Sequence, residues 1–388
     1  MKYVIIGNGI AGTMAAETIR QIDTQGEIKM ISDENNVPYS RPLISNVLAG
    51  LTQPNNIQIR NNEFYEKHNI ETCFGQRVKH LCTKNKQITT DSDTIHYDRL
   101  LIASGADARP VKAQNQNLKN IFFMRNLSQV QQILKALPET KRALVLGGGL
   151  VGFKAASAMV YHHIPVSMVI GSDYPLSMQV DRSAGEIIYH GLQYHGIDII
   201  LNQSVQAFEG KEAVQGVYLS DGSYLACDLV IIGKGVLPSK GFVSDTDIQT
   251  DLGIIVDQHL ATNISDIFAA GDVAQCIDIV RKTSWVNAIW PEAVLQGRIA
   301  GANMAGKTLV HKGSLGRNVI RLFDMDILTA GLVNPPDDSS YKIVSHHGRF
   351  NFYRKMVFKN NLLVGIVMVN GIELGGMYLS HIANEIPV

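Results

Sequence analysis

Residues 4–12 read VIIGNGIAG and residues 144–152 read LVLGGGLVG. Each is a short apolar run that ends in Gly-x-Gly-x-x-Gly, and the surroundings of the two are alike. Around the first, residues 2–6 suit a buried strand, and residues 13–22 suit a helix with small Ala15 and Ala16 toward it. Residues 27–31 form a second apolar strand that ends in Ser32-Asp33-Glu34. That order is one βαβ unit of about thirty residues. Around the second, the strand spans 142–146, the turn Gly147 to Gly152, the helix 153–163 and the next strand 165–170.

The chemistry of such a turn is specific. The first glycine permits a tight bend, the second lets backbone approach a pyrophosphate, and the third lets helix and strand pack closely. The helix N-terminus then offers N–H donors and the positive end of its dipole to phosphate. One match is a common βα turn. Two in their full context imply two dinucleotides, most economically FAD and NAD(P)H. Asp33 follows Gly12 by about 20 residues, where an acid accepts hydrogen bonds from a ribose hydroxyl pair. In the second unit Ile170 takes that place, with Asp173 available from the loop. No Arg or Lys lies between 166 and 181 to hold a 2′-phosphate. The pattern favours NADH and leaves NADPH open.

Outward from these units, residues 228–232 and 267–270 read as further strands, and 293–304 as a helix. From about Leu309 the pattern turns β-rich, at 318–323, 341–345, 350–359 and 362–369, with Asn360-Asn361 as a hairpin turn. The expected fold is α/β: two Rossmann-like dinucleotide-binding domains, for FAD and NAD, plus a C-terminal α+β domain. Residues 1–110 and 239–308 would form a discontinuous FAD domain, 111–238 the NAD(P) domain and 309–388 the C-terminal domain.

Composition narrows the function. Of 388 residues, 35 are Lys or Arg and 35 are Asp or Glu. Zero net charge argues against nucleic acid and anionic membranes as partners. No apolar run approaches the roughly 18 residues of a membrane span. The apolar N-terminal run ends in the glycine cluster, so it reads as a strand and not a signal peptide. Cys73, Cys82, Cys227 and Cys276 form no CxxC or CxxxxC, so zinc, iron–sulfur and dithiol motifs are absent and a reduced, cytoplasmic setting is expected. The pairs His162-His163 and His346-His347 lack ligand spacing and read as surface or packing residues.

The chain resembles the FAD- and NAD(P)H-dependent pyridine nucleotide oxidoreductases that lack a redox disulfide, in particular NADH:rubredoxin reductases. The resemblance rests on the two glycine turns, SDENNVPYSRPLIS (32–45), LLIASGADARP (100–110), IFAAGDVA (267–274), WPEAVLQGRIAGANMAG (290–306) and NFYRKMVFKNNLLVGIVMVN (351–370). It implies that the C-terminal domain is an interface domain. It implies that Gly7, Gly9, Ile10, Ala11 and Gly12 cradle the FAD pyrophosphate and that Asp33, with Glu34, binds the ribose. Arg41 and Pro42 would lie beside the cofactor, Val78 against adenine, Ser104 and Gly105 in a second flavin-contacting turn, and Arg125 as a cationic contact. Gly271 and Asp272 would serve the ribitol chain, and Trp290 would approach the isoalloxazine. Gly147, Gly149, Leu150, Val151 and Gly152 would hold NADH.

The chain also departs from the family pattern. Residues 38–50 contain no cysteine, so thiol chemistry beside the flavin is excluded. Many relatives pair a Glu two residues after the last glycine of the NAD turn with a Lys beside the flavin. Here these places hold Lys154 and Asn46. Lys154 is therefore a candidate for stabilising negative charge near flavin N5 or the nicotinamide.

The expected activity is electron transfer from NADH through FAD to a small redox protein such as rubredoxin or ferredoxin, by a monomer or homodimer. The alternative is the flavin subunit of a larger redox complex, such as a ferredoxin-linked 2-oxoacid dehydrogenase. A non-catalytic FAD-binding redox sensor and a flavin monooxygenase rank lower.

Overall fold

The computed structural model describes residues 1–387. The chain forms two compact units. The first comprises residues 1–40, 58–107 and 237–316; the second comprises 41–57, 108–236 and 317–388. The expected 1–110 segment is thus divided, because residues 41–57 pack with the second unit.

A five-stranded parallel sheet is the centre of the first unit. Its order is Ile267–Ala269, Arg99–Ile102, Lys2–Ile6, Glu27–Ser32 and Ile70–Phe74. Ile5, Leu100, Leu101 and Ile102 are fully buried, as the continuous apolar runs of a doubly covered parallel sheet require. Helix α1 (Ile10–Ile22) follows the first glycine turn.

The second unit contains the matching sheet. Ile121–Phe123, Leu229–Ile232, Ala143–Leu146, Val166–Ile170 and Ile197–Leu201 lie side by side in parallel. Helix α2 (Leu150–Tyr161) follows its glycine turn, and α3 (Arg182–Tyr194) follows the next strand. Both turn helices start at the second x of the motif, so Gly12 and Gly152 lie inside their helices. The expected starts at 13 and 153 fall one turn late, because glycine inside the first turn reads as loop.

The C-terminal part of the second unit is an antiparallel sheet. Its order is Arg317–Leu322, Met325–Gly331, Leu362–Val369, Tyr353–Lys359 and Tyr341–His347, and helix Gly375–Ala383 packs against it. Asn360 and Asn361 both have positive φ, 51° and 62°, as the expected two-residue hairpin requires. The strand Met325–Gly331 is not evident in the sequence. The reversal before it falls on Phe323-Asp324, where Phe323 takes φ 54° with no glycine, proline or asparagine to mark the turn.

In the first unit, α1 is crossed by α4 (Trp290–Met304) at very close range. A Cβ on Gly297 would collide with Ala11 O, and one on Gly301 would lie 2.6 Å from Ala15 O. Backbone meets backbone here, so no side chain can yield. Gly297→Ala and Gly301→Val are expected to lower stability by about 1–3 kcal/mol or more through overpacking. The drop would appear in the urea midpoint, whereas Arg298→Ala, on the exposed face of α4, is expected to leave the midpoint in place.

Candidate functional site

In the first glycine turn, Gly7 N donates to Ile31 O at 2.7 Å, fixing the bend beside the end of the second strand. Gly7 has φ 115°, and a Cβ there would strike Ala103 O. A Cβ on Gly12 would strike Gly7 O. Gly9 differs: its φ is −78°, and nothing lies within 4 Å of a Cβ built on it. The fold therefore demands the first and third glycines, and only something outside the protein demands the middle one.

The second turn repeats this pattern. A Cβ on Gly147 would strike Gly233 O, one on Gly152 would strike Gly147 O, and Gly149 again faces open space. Neither Gly9 nor Gly149 caps its helix with a side chain. The N-cap of α4, Ile289, has none either. By contrast, the helix Leu127–Ala136 has a full capping box from Asn126 and Gln129. Uncapped N-termini keep their N–H donors for an anion. Space and donors together suit the pyrophosphate of a dinucleotide in each turn.

In the first unit a cleft opens at Gly7 and brings together Asp33, Val78 and Ser104, three of the expected site residues. Ser104 Oγ donates to Ser239 O at 2.7 Å, and Ser239 N donates to Gly105 O at 2.9 Å, so residues 104–105 are clamped beside the first turn. Arg77 also lines the cleft, with Nη1 3.7 Å from Asp33 Oδ2. Sequence reasoning missed it, although it precedes Val78. Glu34 accepts a hydrogen bond from Tyr39 Oη at 2.6 Å. Gly271 packs on Ala11, and its N–H donates to Gln296 Oε1 of α4 at 2.8 Å, which sets Asp272 next to the α1–α4 crossing.

Arg41, Pro42, Asn46 and Arg125 belong to the second unit, where Arg41 Nη1 donates to Arg125 O at 3.2 Å. Lys154 projects from α2. It is half-buried, and desolvation pushes its ammonium below the usual lysine range. His162 packs as expected, with Nε2 2.6 Å from Leu48 O. No group of three or more His, Cys, Asp or Glu among the described residues is placed to hold a metal.

The parallel register corrects one sequence reading. Gly7 N pairs with Ile31 O and Gly147 N with Val169 O, so Gly171, not Ile170, is the position in the second turn equivalent to Asp33 in the first. Ile170 is buried, with its side chain against Gly148. The charged pair of this region is Asp173 with Arg182, and the Tyr174 ring lies 5.2 Å from the Arg182 guanidinium. Arg182 opens α3, one residue beyond the cation-free stretch 166–181.

Below the start of α4 lies a buried polar cluster that sequence reading also missed. Glu292 Oε2 sits 3.3 Å from His311 Nε2, and both residues are almost wholly buried. Gln296 Nε2 donates to Cys276 Sγ at 3.5 Å. Burial works against a charged imidazole, but hydrogen bonds to Cys276 and Glu292 outweigh it, and the His311 pKa is pushed up to about 9. Residues 19 apart in sequence gave no periodic signal for this pair.

With this geometry in place, the chain's relatives are informative. Residues 1–297 match the family described as pyridine nucleotide-disulphide oxidoreductase. The chain is 28% identical to NADH-rubredoxin oxidoreductase of Clostridium acetobutylicum over 96% of its own length and 92% of that protein. The solved structure of that enzyme superposes with TM-score 0.82, covering 99% of this chain and 95% of the other at 27% identity. Identity to the NADH-dependent phenylglyoxylate dehydrogenase subunit epsilon of Aromatoleum evansii is 28%, over 97% and 90% of the two chains. Identity to the Bacillus subtilis nitrite reductase [NAD(P)H] is 27%, over 99% of this chain but only 47% of that longer protein. The chain belongs to the pyridine nucleotide-disulphide oxidoreductase family and is an oxidoreductase with FAD and NAD(P)H as cofactors.

Two predictions follow from this geometry. Gly9→Ala is expected to fold, losing under about 1 kcal/mol for an exchanged N-cap, yet to bind FAD at least about tenfold more weakly in a titration of the apoprotein. Gly7→Ala is expected to be lost to the soluble fraction. For His311 the folded pKa lies above the unfolded value of about 6.5. Its contribution to stability is therefore complete below that value and is lost as pH rises through about 9. Urea midpoints of the wild type are expected to fall over that window, and those of His311→Gln to be flatter.

Proposed function

We propose that this chain oxidises NADH and passes the electrons singly to a small rubredoxin- or ferredoxin-type carrier in the cytoplasm. The observation that carries the reading is the pair of glycine turns whose middle glycines face open space, in a chain whose four cysteines are all free. Two dinucleotide cradles without a dithiol suit direct passage from nicotinamide to flavin to an external acceptor. Bound FAD supplies the conversion of a two-electron donor into one-electron steps.

The side chains bind and orient. The backbone of Gly7, Gly9, Ile10, Ala11 and Gly12 would hold the flavin pyrophosphate at the start of α1. Asp33 would accept the ribose hydroxyls, with Arg77 and Glu34 close by. Val78 would close on adenine, and Ser104 and Gly105 would hold the chain at the cleft. Asp272 would take ribitol hydroxyls. The backbone at Trp290 would present the positive end of α4 to the isoalloxazine, favouring negative charge there. Arg41, Pro42, Asn46 and Arg125 are further flavin contacts that the resemblance implies.

Gly147, Gly149, Leu150, Val151 and Gly152 would hold the NADH pyrophosphate in the same way. Asp173, kept in place by Arg182, would accept the hydroxyls of the adenosine ribose, which makes NADH the preferred donor. Lys154 has no carboxylate partner within hydrogen-bonding range among the described residues, and desolvation disfavours its charge. Negative charge arriving on a bound cofactor would compensate it.

A second reading, the flavin subunit of a larger redox complex, is favoured by the likeness to the phenylglyoxylate dehydrogenase subunit over nearly the full length of both chains. The native mass of the protein purified from its own host separates the two.

Anaerobic NADH is expected to bleach the yellow flavin absorbance; failure with both NADH and NADPH would sink the reductase reading. Asp173→Ala is expected to raise KM for NADH about tenfold, the loss of a charge-assisted hydrogen bond, with little change in kcat. Lys154→Ala is expected to slow flavin reduction by roughly tenfold or more and to lower the flavin potential. A variant with both quantities unchanged would assign Lys154 to packing.

A further inference from the structure

The chain is neutral as a whole, but its charges are not evenly spread. From Ile279 to Gly316 the cations are Arg281, Lys282, Arg298, Lys307 and Lys312, and all five are exposed. The one acid in that stretch is Glu292, buried against His311. This stretch of the flavin-binding unit therefore presents only positive charge to solvent.

Three of the cations stand on two neighbouring loops. Strands Ala274–Ile277 and Ser284–Trp285 form a hairpin, with Cys276 opposite Trp285. The segment at 312–314 lies along its tip, because Ser314 N donates to Ile277 O at 2.8 Å and Ile279 N donates to Ser314 O at 2.9 Å. Arg281 and Lys282 are on the tip, and Lys312 is on the adjoining segment. Ile277 is 53% and Trp285 is 36% exposed, on opposite faces of the ribbon, with the Arg281 guanidinium 4.6 Å from the indole centroid. Cations on adjoining loops beside an exposed apolar side chain suit the rim of a docking surface.

The tip is also built to hold its shape. Asp278 is 3% exposed and turned inward. Its Oδ1 accepts from Val280 N at 2.9 Å and Arg281 N at 2.8 Å. Asn287 Nδ2 donates to Asp278 Oδ2 at 2.8 Å and to Ser314 Oγ at 2.7 Å. A loop pinned by a buried aspartate loses little freedom when a partner arrives.

The hairpin also joins the two positions proposed to touch the flavin. Its outer end, from Ile277 to Trp285, begins five residues after Asp272 and ends five residues before Trp290. Even fully extended, five residues span no more than about 18 Å.

We propose that Arg281, Lys282 and Lys312, beside exposed Ile277, form the docking surface for an acidic electron carrier whose iron is held by four cysteine thiolates. Four thiolates outweigh the charge of the iron they bind, so such a centre is anionic and becomes more so when reduced. This rests on the electron-carrier reading above and adds where the carrier lands. The patch raises the encounter rate and orients the carrier beside the flavin-binding segments.

The test uses the FAD-loaded full chain with NADH, and a rubredoxin, a [2Fe–2S] ferredoxin and an uncharged quinone as acceptors. Lys312→Glu and the double variant Arg281→Gln/Lys312→Glu are compared with wild type over a range of salt. The expected result is an about tenfold rise in KM for an iron carrier at low salt, which shrinks as the Debye length falls, with quinone reduction unchanged. Unchanged KM for both carriers at every salt overturns the docking surface and leaves the carrier reading standing. An equal fall with quinone also overturns it, because the damage then lies in the NADH half-reaction. A wild type that reduces quinone but neither carrier sinks the carrier reading and the surface with it.

Discussion

Direct contact of backbone on backbone is the constraint on which this molecule depends. At Gly7 against Ala103, Gly12 against Gly7 and Gly297 against Ala11, a single added carbon has nowhere to go. The second unit repeats the first two of these contacts at Gly147 against Gly233 and Gly152 against Gly147. Side-chain packing can rearrange around a changed residue, but two main chains in contact cannot. These points therefore set where each turn helix leaves its sheet and, in the first unit, where α4 lies on α1. The cleft lined by Asp33, Val78 and Ser104 is the space left once those contacts are made.

Much of this was legible because the glycines are themselves the signal. A strand, a glycine turn and a small-residue helix in order identify the Rossmann unit, and the strands Lys2–Ile6, Glu27–Ser32, Ala143–Leu146, Val166–Ile170, Leu229–Ile232 and Ile267–Ala269 fall where apolar runs predict them. Asp33 is singled out by its spacing from the glycine turn, whereas Ser104 enters only through the family resemblance. Hidden features have physical reasons to be hidden. The strand Met325–Gly331 follows a turn made by Phe323, a residue that seldom takes positive φ. Arg182 reaches Asp173 across the start of a helix. His311 and Glu292 meet through tertiary packing alone. Position 170 was misjudged because counting along a strand is uncertain by a residue, while a parallel register is not.

Electrostatics adds a layer that composition conceals. A balance of 35 against 35 argues against polyanion partners. It says nothing about placement, and here the acids of one stretch are inside while its cations are outside. Lys154 is a related case on the other unit: a lysine half withdrawn from water, whose charge costs free energy until something anionic arrives.

The open space beside Gly9 has a further meaning for the life of the protein. Until that space is filled, the first turn of α1 has donors with no acceptor, and α1 lies against α4 through the centre of its unit. A ligand seated there completes the helix and stabilises the fold by mass action, in proportion to the logarithm of its free concentration over its dissociation constant. A chain whose cofactor is seated there would thus resist unfolding better than one still without it, by that same logarithmic measure.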